Sequence, residues 1–284
     1  MNNVEIIKKS RELLKDKDIS VWEDFKDYHE ARDLLLDNGF IKYKDIKIQK
    51  AYFELFGDNQ ALESELKKSL NDIKSSNEDI RLTAAKGLEK TVRAEVNMNL
   101  KLWLKDPRTI DILSTVIDTE KNEKILENII LCLGNLATRY EYKDLDVFKK
   151  ITSKFEEAST RLKIIIAQSC IKYPTDEKWV YIFTVLCSKS KKDIMTRLLP
   201  SIIRYSKELK LNTEWLDKIK SNLYDTVFTN KNSQIQTKYI RTIMSLSSSS
   251  DVENLNKIIN TIDLKPSILE DLKIKVTDLG NESE

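Results

Sequence analysis

The side chains best suited to chemistry in this chain are few. Its single histidine, His29, lies in DYHEARD with Asp33 four positions on. On a helix such a pair shares one face, so imidazole and carboxylate could approach the same cation. Two ligands fall short of a zinc site, and no HExxH or cysteine cluster supplies the rest. His29 therefore reads as structural. The three cysteines, Cys132, Cys170 and Cys187, contain no CxxC pair, and each stands in an apolar helical stretch. A thiol there packs as a small hydrophobe, so all three are expected to be buried and inert in a reducing cytoplasm. GxxxxGK[ST], GxGxxG and GxSxG are all absent from the sequence. Phosphate-loop, dinucleotide and hydrolase-elbow chemistry thus lack their backbone requirements. The expectation is a chain with no catalytic, metal or cofactor site.

Any function must then reside on a surface, and the sequence shows what elements build it. Only 5 Gly and 4 Pro occur in 284 residues, too few for a turn-rich strand architecture. Apolar residues recur at a period near 3.6, so an all-α fold is expected. The net charge is +2, from 48 basic and 46 acidic residues, which leaves clustering rather than the total to select a partner. No apolar run reaches the ~18 residues that cross a membrane, and the start MNNVEIIKKSRELLKD does not read as a secretory signal. A cytoplasmic location follows as an expectation.

One phrase repeats. NEDIRLTAAKGL from Asn77 is followed by NEKILENIILCLGNLA from Asn122, and apolar residues stand at offsets 0, +4, +5 and +8 in each. Counted from Ile80 these are Ala84, Ala85 and Leu88; from Ile125 they are Ile129, Ile130 and Leu133. Leu162, Ile194 and Ile235 open further copies, a looser one starts at Ile48, and the copy from Ile268 places Lys273 at +5. These offsets cover one broad helical face. A second amphipathic segment precedes each phrase, and polar stretches such as SSNED, DTEKN and TNKNS supply caps between the two. The unit is helix, turn, helix, repeating at 45, 37, 32, 41 and 33 residues from Ile80 to Ile268. That range belongs to helical-pair solenoids, in which stacked pairs share a core no single pair could close. Lys273 marks the last copy as a cap.

Asp79, Ile80, Arg81, Ala84, Ala85 and Leu88 resemble the second helix of a HEAT repeat, and CLGNLA resembles the end of the same helix. The resemblance spans roughly residues 60–280 and is sharp in the first two copies; the later ones lack the Asp and Arg ladder, which leaves HEAT-like and armadillo-like both open. It implies a right-handed α-solenoid of about six antiparallel helix pairs. The repeat region is expected as one continuous domain over 59–284. Residues 1–58, with a Ser20/Glu23 capping box and a stop at Asn38-Gly39, are expected to form an N-terminal helical cap. A small separate domain is the alternative there. SLSSSSD (245–251) reads as an inter-helix loop.

Opposite the core face, offsets +3, +6, +10 and +13 point outward. Over five copies, nine of these twenty positions are basic and none is acidic, whereas 48 basic and 46 acidic residues in 284 would place about three of each. The nine are Lys86, Lys90, Arg93, Lys172, Arg197, Arg204, Lys207, Lys238 and Arg241. In HEAT-like superhelices the second helices line the concave side, so the resemblance implies a basic groove. Lysines on a solvated face, and basic residues near helix C-termini, are the plainer reading of the same pattern.

A groove of that kind takes an anion. A protein partner with an acidic surface or segment is expected first, without membrane or small-molecule substrate. Nucleic acid held through its phosphates is the alternative, although aromatic stacking partners are not evident on the strip. A toxin-neutralising, immunity-type role is a third. Some DNA glycosylases resemble HEAT stacks with a basic groove where tryptophans and an aspartate meet the damaged nucleotide. Trp103 and Asp106 in LKLWLKDP come nearest, but their surroundings do not match that family's motif.

Overall fold

The computed structural model describes residues 60–93, 107–139, 142–209 and 213–282. His29, Asp33, the Ser20/Glu23 box, Asn38-Gly39, the copy at Ile48, the 58/59 boundary and the Trp103/Asp106 pair lie outside the described residues. Among the described residues there are twelve α-helices and no strand. The chain divides into two compact units, Met1–Lys150 and Ile151–Glu284, a division that falls inside the repeat region.

The first unit contains α1 (Gln60–Asp72), α2 (Glu78–Arg93), α3 (Pro107–Thr119) and α4 (Glu123–Arg139). Helix α5 (Leu145–Thr152) crosses the division. The recurring Asn-Glu of the sequence starts α2 and α4. Asn77 Oδ1 accepts from Asp79 N at 2.9 Å, and Asn122 Oδ1 from Lys124 N at 2.9 Å, satisfying amides that have no partner within a first turn. Helix α1 packs on α2, α3 on α4, and α2 lies along α4. Ala84, Ala85, Leu88, Ile125, Ile129, Ile130 and Leu133 are all buried, and each fully buried Ile or Leu contributes about 1.5–3 kcal/mol of transfer free energy. Ile80 departs from the register at 43% exposure, whereas Ile125 at the same place in α4 is buried.

Two polar links tie these helices together. Asn122 Nδ2 donates to Glu78 Oε1 at 2.7 Å, joining the starts of α2 and α4. Arg81, from the HEAT-like phrase, donates through Nε to Glu120 Oε2 at 2.8 Å and through Nη1 to the Ser75 and Ser76 carbonyls at 3.0 and 3.1 Å.

The second unit contains α6 (Thr160–Cys170), α7 (Lys178–Cys187), α8 (Lys191–Tyr205), α9 (Thr213–Thr229), α10 (Ser233–Leu246), α11 (Val252–Thr261) and α12 (Pro266–Asn281). Alternate helices pack in sequence, α6 on α8, α8 on α10 and α10 on α12. Helices α9 and α11 pack on the partners that follow them, and α7 packs on α9. The short links between partners make antiparallel neighbours. Core offsets are buried at Leu162, Ile166, Ala167 and Cys170, at Ile194, Leu198, Leu199 and Ile202, and at Tyr239, Ile240 and Ile243. Pro200 stands inside α8, so the Thr196 carbonyl one turn back receives no helical N–H from it.

SLSSSSD links α10 to α11, as expected, and closes as a short 3₁₀ turn at Ser249–Asp251. Asp251 Oδ2 accepts from Ser248 N at 2.8 Å and from Lys220 Nζ at 2.6 Å. No described helix is long and apolar enough to cross a membrane.

Candidate anion-binding surface

The outward offsets do not behave alike along the chain. In the first unit Lys86 and Lys90 are exposed on α2 and make no ion pair or hydrogen bond with any described side chain. Arg93 is bound within its own helix, Nε lying 2.9 Å from Glu89 Oε1. On α4 the same offsets carry Asn128, Leu131, Asn135 and Thr138, all half-buried and uncharged.

In the second unit the outward face of α6 is partly covered, for Ile165 at +3 is buried. Lys172 at +10 differs from the free groove cation expected. Its side chain is only 8% exposed, pairs with Glu208 beyond the end of α8, and lies 4.8 Å from the centre of the Tyr205 ring. A cation so placed is spent on joining α6 to α8. Arg241 on α10 is also answered, with Nη2 3.5 Å from Asp271 Oδ2 on α12. Both its partner and the guanidinium are about half exposed, so this pair costs little to open.

Between these two cross-helix pairs stand Arg197, Arg204 and Lys207 on and after α8, and Lys238 on α10. Arg204 and Lys207 are exposed, and Arg197 and Lys238 are half-buried. Among the described residues none of the four makes an ion pair or a side-chain hydrogen bond. Because α8 packs on α10, Arg197 and Lys238 hold equivalent +3 positions on adjacent helices. The Lys172–Glu208 pair links the outward sides of α6 and α8, and the Arg241–Asp271 pair those of α10 and α12.

Extending the count to α12 reveals what the five-copy pattern missed. At the same four offsets α12 carries Asp271, Ile274, Asp278 and Asn281, two carboxylates and no cation, with Glu270 at +2 and Glu282 just past the helix end flanking them. Ile274 is 55% exposed. The residue types and spacing were available in the sequence, but Lys273 had set the last copy aside.

The described residues offer little for chemistry. They include no group of three or more His, Cys, Asp or Glu placed to hold a metal. Cys132 and Cys170 are buried, and burial pushes both thiols well above their ordinary range. Cys187 is exposed instead, because it ends the α7 face that also bears the exposed Val180 and Thr184. A cleft of about 500 Å³ opens in the first unit beside Ile73, Lys74, Arg81, Asp111, Thr115 and Glu120. Its strongest polar group, the Arg81 guanidinium, already serves Glu120 and two carbonyls.

The fold and this face define an all-helical protein of successively packed helices, compatible with a helical repeat. No protein family and no curated protein matches the chain. Two crystal structures, each described as an engineered protein from the Northeast Structural Genomics Consortium, are similar in fold. One superimposes with a TM-score of 0.55 at 13% identity, covering 77% of this chain and 97% of the other. The second gives 0.53 at 12%, covering 75% and 97%. At such identities the likeness concerns the fold alone.

Proposed function

We propose that this protein is a HEAT-like solenoid of about six helix pairs that works without chemistry of its own, as a cytoplasmic module binding an acidic protein segment. The HEAT-like assignment is supported by the packing of second helix on second helix and by Arg81, which bridges from one helix pair to Glu120 at the end of the next pair's first helix. The binding role rests on one observation. Arg197, Arg204, Lys207 and Lys238 stand without carboxylate partners among the described residues, while the cations flanking them are paired. Unpaired charges that gain nothing from the fold remain available to a ligand of opposite sign.

Nucleic acid is the second reading, because phosphates would meet the same four cations. Fluorescence anisotropy with a labelled peptide of alternating Glu and Ser, and with a single-stranded DNA of similar length, separates the two. The acidic peptide should bind the full chain, and Arg197→Glu with Lys238→Glu should weaken it roughly tenfold without altering the circular dichroism. DNA binding tighter than peptide binding, with a steep loss between low and physiological salt, would favour the second reading. Failure of both probes would remove the anionic-ligand reading altogether.

A further inference from the structure

The free cations do not lie on a uniformly basic wall. Helix α8 presents Arg197, Arg204 and Lys207, and α10 presents Lys238 with the half-exposed Arg241. On α12, the next helix packed in the row, the same outward face turns acidic at Asp271 and Asp278, with Glu270 and Glu282 beside them. Glu270, Asp278 and Glu282 are exposed and make no ion pair with any described residue. The Arg241–Asp271 contact of 3.5 Å shows where the sign changes, because the +6 position of α10 meets the +3 position of α12 there. Ile274 stands one turn from both Asp271 and Asp278 and, among the described residues, is one of four large hydrophobics that are markedly exposed.

A polyanion lying along this face would gain contacts over α8 and α10 and meet like charge at α12. A short acidic segment that stops at α10 avoids that repulsion, but leaves Ile274 and three carboxylates unused. A segment whose charge changes sign along its length satisfies all of it. We infer that the partner segment is bipolar, with carboxylates opposite Arg197, Arg204 and Lys238, and an aliphatic residue followed by lysines or arginines opposite Ile274, Asp278 and Glu270. This inference rests on the acidic-partner reading and specifies its ligand. It also makes the acidic α12 a selectivity element that turns nucleic acid away.

The test compares two labelled peptides of equal length on the full chain: one acidic throughout, the other acidic in one half with Ile and Lys in the other. The bipolar peptide should bind roughly tenfold tighter at low salt, since two or three added surface pairs contribute about that much together. Glu270→Lys with Asp278→Lys should erase or invert the preference while improving the all-acidic peptide. Ile274→Ser should weaken only the bipolar peptide, by about threefold. Equal binding of the two peptides, or a preference that survives the α12 reversal, overturns the bipolar inference and leaves the acidic-partner reading in place. Absence of binding by either peptide overturns both. The exposed positions chosen should leave the melting temperature unchanged, which confirms that each variant is folded.

Discussion

Lys220 Nζ lies 2.6 Å from Asp251 Oδ2, with both side chains more than nine-tenths buried, and this pair locks α9 to the turn that begins α11. Asp251 simultaneously accepts from the Ser248 backbone and hydroxyl, so its charge is shared by a small closed network. Burial and the Asp251 carboxylate together push the neighbouring Tyr224 hydroxyl upward and keep it protonated. Removing one partner of a buried pair strands the other without water. Lys220→Met should therefore cost about 3–5 kcal/mol in urea unfolding. Lys218→Met, which breaks the exposed pair with Glu214, should cost little. Equal effects of the two would show that the buried network contributes nothing special.

Acid should weaken the first unit through Glu120. Burial alone would raise this carboxyl, but hydrogen bonds from Arg81 and from the Asn122 and Lys121 amides outweigh it and hold it below 4.5. A folded value below the unfolded one gives stability that is complete above about pH 4.5 and lost as pH falls through the depressed value. Glu120→Gln should flatten that part of the pH dependence in melting curves taken between neutral and strongly acidic pH. A slope unchanged by the substitution would place the acid sensitivity elsewhere.

Thiol accessibility gives a direct check on helix register. Cys187 is exposed while Cys132 and Cys170 are buried, so the folded protein should react with one equivalent of a thiol reagent and the denatured protein with three. Cys187→Ser should abolish the native reaction. Rapid labelling of a second cysteine would mean that α4 or α6 is turned from the orientation described.

Gly87 stands inside α2, where a methyl group would meet Ser69 Oγ at 3.5 Å, an ordinary contact. Glycine in a helix interior costs about 1 kcal/mol relative to alanine. Gly87→Ala should therefore raise stability by an amount of that order in denaturant unfolding. A loss would show that the α1–α2 packing cannot yield even a few tenths of an ångström.

Lys172 and Arg197 should part company under mutation. Lys172→Ala removes the Glu208 pair and the contact with the Tyr205 ring, so it should lower the melting temperature and leave peptide affinity nearly unchanged. Arg197→Ala should do the reverse, since no described side chain depends on it. The pair of measurements, melting and anisotropy, distinguishes a structural cation from a recognition cation at two positions that look alike in sequence.

That contrast shows where the sequence is legible. Apolar spacing determined the buried faces of α4, α8 and α10 almost residue by residue, because a helix fixes which side chains share a face. The asparagine caps could be read for the same reason, since they depend on neighbours two and three residues away. Lys172 and Arg241 could not be sorted from Arg197, because Glu208 and Asp271 lie 36 and 30 positions further along the chain. Nor could the role of Asp251 be seen: a stretch of serines reads only as an inter-helix loop, and its buried pair with Lys220 comes from α9, 31 positions back. Cys187 misled for a different reason. Its segment is apolar, but the residue stands on the exposed side of it.

Pro200 gives α8 a weak point in its own backbone. With no N–H to offer one turn back, it removes one rung from the backbone ladder of the helix that carries Arg197 and Arg204. That missing rung makes the stretch between Arg197 and Arg204 the easiest part of α8 to bend.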